Sequence, residues 1–241
     1  MNIKKHIPNL ITLLNLFSGC IALIYAVNMN FEMAFFFVSL GIFLDFFDGF
    51  FARLFKVSSP LGLQLDSLAD MVTSGLVPGA VMFLMLNNYT LAPDNWIAYL
   101  GFIITLGSCY RLANFNIDTR QTDSFIGLPT PANTLLILSL PLVLQHTNQD
   151  IIRTLLENQW FLLAITVFSA FILNAEIPLF SLKIKEFNFA KNKLQIIFLA
   201  SAVALLVAFQ FLGIPLVIIL YVLLSVLNNR EVRKKSIEKR V

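Results

Sequence analysis

The chain has 241 residues, 58% of them hydrophobic and 13% charged, with 24 Phe and a formal net charge of +3. That composition belongs to the membrane class; it leaves no room for a soluble domain of any size and gives no basis for nucleic-acid binding. Cys20 and Cys109 both fall within apolar segments, with no CxxC spacing and no His partner, and are read as small core residues rather than a disulfide or metal site.

In chain order there are eight apolar segments of spanning or near-spanning length, at about 7–27, 31–54, 61–87, 95–117, 130–146, 159–180, 194–211 and 213–229. The expected fold is all-α and integral to the membrane: a polytopic helical bundle of about eight transmembrane helices, forming one domain over 1–241. Its core would occupy about 1–180, followed by two additional C-terminal spans at about 194–229 and a basic tail at 230–241. The fifth segment is short and carries Pro141, which would kink it. The last two are divided only by Gly213 and Pro215, so they form a tight hairpin or one broken element. The first segment does not read as a cleaved signal peptide, because its apolar stretch is too long.

With an inside N-terminus and eight spans, 16 of the 17 Lys and Arg fall on the inside and only Arg153 falls outside. Both termini and the turn near residue 57 are therefore expected on the cytoplasmic side of a cell's inner membrane.

Four carboxylates stand inside this apolar chain. Asp45 and Asp48 are three apart, and Asp66 and Asp70 are four apart, so on helices each pair shares one face. The link Lys56-Val57-Ser58-Ser59-Pro60 joins the two helices, and as antiparallel neighbours they would bring all four acids together. Each acid costs roughly 2.5–3.5 kcal/mol at mid-membrane on the insertion scale, and their mutual repulsion adds to that. Cations must offset this cost. Carboxylates with no Cys or His nearby suit Mg²⁺, Mn²⁺ or Ca²⁺, and two such ions would clamp a phosphate or pyrophosphate. The competing structural reading is a water-filled vestibule, or pairing of the acids with Arg53 and Lys56. Gly49, Ala52 and Gly62 leave a face open to a bulky ligand, Arg53 could hold a phosphate, and Ser59 could donate to the same ligand.

Asp45-x₂-Asp48-Gly49-x₂-Ala52-Arg53-x₈-Gly62-x₃-Asp66-x₃-Asp70 places eight fixed residues in 26 positions, and it resembles at every one the signature of the CDP-alcohol phosphotransferases. Members of that family move a phosphatidyl or similar group from a CDP-linked donor to an alcohol and release CMP. The resemblance implies Asp45, Asp48, Asp66 and Asp70 as ligands of a divalent metal, Mg²⁺ or Mn²⁺, as two ions. It also implies Asp70 as general base, and Gly49, Ala52, Arg53, Ser59 and Gly62 as the CDP-lipid contacts.

Further stretches resemble the phosphatidylserine synthase branch: Pro8 to Gly19, Asp66 to Asp70, Arg111-Leu112-Ala113-Asn114-Phe115-Asn116, and Phe125 to Asn133. The expected substrates are then CDP-diacylglycerol and L-serine, in membrane lipid, with a homodimeric assembly. Asn114 departs from the branch, where an Arg is usual, which removes one cation for the serine carboxylate. Asn15, Arg111, Asn116, Gly127 and Pro129 are the candidate serine pocket. The rival acceptors are glycerol 3-phosphate, inositol and choline. The rival from another class is a divalent-cation transporter, which would want polar groups across the whole depth rather than acids gathered near one side.

Overall fold

The computed structural model describes residues 6–57, 59–88, 95–118, 126–180 and 192–238, with side chains described as far as Asn229. Lys4, Lys5, Ser58, Arg120, Phe125, Lys183, Lys185, Lys191, Lys239 and Arg240 lie outside the described residues, as do the side chains of the tail from Arg230. In a bilayer each backbone N–H and C=O must be satisfied within its own segment, and every described element is helical. The elements are α1 (Ile7–Val27), α2 (Phe31–Phe55), α3 (Pro60–Asp70), a π-helical turn (Met71–Leu76), α4 (Val77–Asn88), a 3₁₀ segment (Trp96–Phe102), α5 (Ile103–Ile117), α6 (Thr130–His146), α7 (Asp150–Leu156), α8 (Gln159–Asn174), α9 (Lys193–Phe209), a 3₁₀ turn (Gln210–Leu212) and α10 (Gly213–Glu238). The chain is a polytopic helical membrane protein.

Burial runs by size rather than by hydrophobicity. On α1 the buried stripe is Pro8, Thr12, Asn15, Gly19, Ala22 and Ala26, while Leu10, Leu14, Phe17 and Ile24 face outward. On α2 the stripe is Phe31, Ala34, Val38, Gly41 and Asp48, and Phe36, Phe43, Phe46 and Phe50 face outward. Lipid already satisfies large apolar side chains, so small and polar residues turn inward and let the backbones approach. Gly41 shows the limit of that approach: a Cβ there would lie 2.8 Å from both Asn15 Oδ1 and Thr73 Cγ2.

α3, the π turn and α4 form one continuous stretch, Pro60–Asn88. The π turn has a cause in Pro78, whose ring excludes the carbonyl of Ser74 four residues back. Freed acceptors are met from outside: Thr134 Oγ1 donates to Ser74 O at 2.9 Å and Thr105 Oγ1 to Gly75 O at 2.9 Å.

Five described helical stretches are long and apolar enough to cross a membrane, or six if α7 and α8, bent by 69°, are one span. The expected count of about eight exceeds this because α6 has 17 residues and α8 has 16, and because α9 and α10 are counted together as one stretch, Lys193–Asn229. Pro141 lies within α6, a single helix from end to end. The last stretch, 193–229, folds back at Gln210 (φ 49°), so that Phe198 of α9 meets Tyr221 of α10 with ring centroids 5.3 Å apart; of the two expected forms it is the hairpin. Tyr221 Oη then donates to Phe180 O at 2.9 Å, fastening the hairpin to the chain leaving α8. Cys20 and Cys109 are free and exposed, not core residues: each stands on the outward side of its helix.

Candidate active site

Lys56 ends α2 in the left-handed conformation, and Ser59 caps α3 by accepting from Gly62 N at 3.0 Å. This fixes a short turn at one end of the bundle. α1 packs along both α2 and α3, and the two acid-bearing helices have few direct contacts with each other. α1 therefore acts as a spacer, and the acids face one another across the gap it leaves.

Asp45, Asp48 and Asp66 each present a carboxylate oxygen within 4.8 Å of the others. Carboxylates this close repel one another unless a proton or a cation lies among them. Oδ1 of Asp45 is buried without a partner. An oxygen-only donor set, crowded and incompletely satisfied, fits a hard divalent cation. Asp70 is outside this group of three but close enough for its charge to act on Asp45, Asp48, Asp66 and Arg111.

Two side chains of α1 hold the acids. Thr12 Oγ1 donates to Asp48 Oδ2 at 2.5 Å, and Asn15 Nδ2 donates to Asp70 Oδ1 at 3.2 Å. Asn15, expected in a serine pocket, thus lies against Asp70, with its own Oδ1 unpartnered. Thr12 was not among the sequence candidates; its signal was its place, three residues before Asn15, on the polar stripe of an otherwise apolar helix.

Beside the acids is a cleft of about 220 Å³ whose lining includes Asp48, Gly49, Ala52, Ser59, Gly62 and Asp66. The structure therefore brings together four of the five expected CDP-lipid contacts. The fifth, Arg53, is exposed and leans over Gly49, where an added Cβ would stand 3.7 Å from Nη1. Asn9 and Thr12 also line this cleft.

Arg111, Gly127 and Pro129 form a second group. Arg111 is 7% exposed; its Nε donates to Leu128 O at 2.5 Å and its Nη2 to Gly127 O at 3.5 Å. Gly127 has φ +75°, and its N–H donates to Ile177 O, so the segment before α6 is pinned to the chain after α8. Pro129 precedes the first turn of α6. Three of the five guanidinium hydrogens of Arg111 remain for other acceptors. Asn116 stands apart from this group: its Nδ2 donates to Ser67 Oγ at 2.8 Å, tying α5 to α3 between Asp66 and Asp70.

The sequence model of the CDP-alcohol phosphatidyltransferase family matches residues 5–172. The chain is 36% identical over 133 residues to a CDP-diacylglycerol–serine O-phosphatidyltransferase of Helicobacter pylori strain J99, covering 54% of this chain and 55% of that one. It is 36% identical over 131 residues to the protein of the same name from Bacillus subtilis, covering 53% of this chain and 70% of that one. A third protein so named, from Saccharomyces cerevisiae, is 34% identical over 151 residues, covering 56% of this chain and 53% of that one. The match thus spans about half the length of two of these relatives. With the family's sequence model covering most of its length, and Asp45, Asp48 and Asp66 of the signature gathered beside one cleft, the chain belongs to the CDP-alcohol phosphatidyltransferase family.

Proposed function

We propose that the chain transfers the phosphatidyl group of CDP-diacylglycerol to L-serine, giving phosphatidylserine and CMP. The observation that carries this reading is the cleft in which Asp48 and Asp66 line the same wall as Gly49, Ala52, Ser59 and Gly62, together with relatives named for that reaction.

In this reading Asp45, Asp48, Asp66 and Asp70 hold two divalent ions, Mg²⁺ or Mn²⁺. Metal held by these acids would supply positive charge to offset the charge that builds on the pyrophosphate as it breaks. The donor's phosphates lie at the start of α3, where the helix dipole favours anions. Gly49 and Gly62 let the nucleotide approach the backbone, and Arg53, beside Gly49, takes a phosphate oxygen. Asp70 accepts the serine hydroxyl proton through its free oxygen, while Asn15 holds the other. The serine oxygen bonds to the phosphatidyl phosphorus, the anhydride bond to CMP breaks, and CMP leaves. Direct transfer is expected because the motif offers no spare nucleophile beyond the acids themselves. Arg111 meets the serine carboxylate with the hydrogens that Leu128 and Gly127 leave free. Acyl chains remain in the bilayer, the site faces the cytoplasm with both termini, and the protein is a homodimer.

The test is CMP release by purified protein with CDP-diacylglycerol and Mn²⁺ or Mg²⁺, offered L-serine, glycerol 3-phosphate, myo-inositol or choline in parallel. Release and phosphatidylserine with serine alone, lost in Asp70→Asn, is the expected result. Release with another alcohol would keep the four-acid mechanism and overturn serine as acceptor. No release with any acceptor, from folded protein, would overturn the transfer itself.

A further inference from the structure

At the end of the bundle away from the acids, a cavity of about 320 Å³ opens beneath α7. Met29, Phe31, Met85 and Leu144 form its walls, and Arg153 and Glu157 lie on its border. It is far from the proposed reaction: the rise along α2 from Phe31 to Asp48 is about 25 Å.

Arg153 is the one Lys or Arg of 17 that the sequence places at this end. Among the described residues neither Arg153 nor Glu157 has an ion-pair partner, although they stand one helical turn apart. α7 itself is bent 69° from α8, and it exposes Ile151 and Leu155 while burying Leu156. A short helix at that angle, with apolar residues outward and charges at its edge, has the character of a segment that lies among lipid head groups. Met29 and Met85 supply a deformable apolar wall for the glycerol and upper acyl carbons.

We propose that this cavity binds the head group of a zwitterionic aminophospholipid from the leaflet opposite the acid cluster, its phosphate on Arg153 and its ammonium on Glu157. The arrangement discriminates by chemistry. Phosphatidylcholine offers the phosphate but no N–H to donate to Glu157, and phosphatidylglycerol offers the phosphate with no cation at all.

The test uses full-length protein, delipidated in mild detergent and titrated with phosphatidylethanolamine, phosphatidylcholine or phosphatidylglycerol of identical acyl chains. Lipid retained per protein is read by native mass spectrometry. Phosphatidylethanolamine is expected to be retained at least threefold over the other two. Arg153→Gln should bring it down to their level, and Glu157→Gln should remove the preference while phosphate binding remains. Equal retention of all three lipids, or retention unaffected by Arg153→Gln, would mean annular lipid only and overturn the proposal. Because neither residue serves the proposed transfer, unchanged CMP release in both variants certifies folding. Should Arg153→Gln fail that check, the preference in Glu157→Gln decides alone.

Discussion

Asn15 and Thr12 show how a membrane site is held by hydrogen bonds rather than by ion pairs. Each donates to one oxygen of an acid, which leaves the acid's other oxygen for a different partner. Partners of metal ligands typically contribute 10–100-fold to metal affinity. Thr12→Val should therefore weaken Mn²⁺ binding, read by electron paramagnetic resonance of the free ion, by about 10-fold or more; Thr12→Ser, which restores the hydroxyl, should recover most of it. Arg111→Lys makes a different prediction. Lys cannot serve Leu128 O and a carboxylate in two fixed directions as a guanidinium does. The KM for serine should rise at least tenfold while that for CDP-diacylglycerol stays within about twofold; equal changes in both would remove Arg111 from the acceptor pocket. At this scale the acids were legible because a carboxylate in an apolar run is costly enough to need a reason. Thr12 was not, since one hydroxyl in an apolar helix can always bond its own backbone, as Thr12 also does with Pro8 O.

The element that most shapes the site is the π turn immediately after Asp70. It widens the helix where Thr73 is wedged against α1 and α2, and its displaced carbonyls reach α5 and α6. Thr134 is wholly buried, and its one hydroxyl hydrogen is shared between Ser74 O and Thr130 O of its own helix. Thr134→Val keeps shape and removes that donor, leaving a buried carbonyl without its partner, at a cost of about 1–3 kcal/mol. The expected outcome is a lowered thermal midpoint in detergent, with Thr134→Ser close to the parent. An unchanged midpoint in Thr134→Val would show that the π turn satisfies its own carbonyls. The spacing of Asp66 and Asp70 on one face followed from helical periodicity alone. The π turn did not, because periodicity does not register one extra residue in an apolar run. Its signal, Pro78 within the third apolar segment, shows only once the carbonyl it displaces is traced to Thr134.

Across the whole molecule, eight apolar segments were visible in hydropathy, yet their lengths and angles are set by packing. α7 and α8 bend apart, and the last two segments close into a hairpin whose Ile218 shares an apolar cluster with Leu128, the residue whose carbonyl Arg111 holds. Nothing in the sequence of α10 announces that contact, since its outward and inward residues are equally apolar. The acids, by contrast, tie stability to metal in a way that can be measured. Without an ion the clustered carboxylates repel one another, so folding works against that repulsion; with an ion bound the sign reverses. Ligand present at 100 times its Kd stabilises by about 2.7 kcal/mol. The thermal midpoint should therefore rise when Mn²⁺ is added to protein stripped with a chelator, and fall again when the chelator returns. Asp45→Asn separates metal binding from simple charge screening. It removes a member of the cluster, so it should raise the midpoint in chelator, where repulsion dominates, and lower it in Mn²⁺, where a ligand has been lost. A midpoint that moves the same way in both solutions would mean that Asp45 acts through packing, and the four-acid metal site would lose one of its supports.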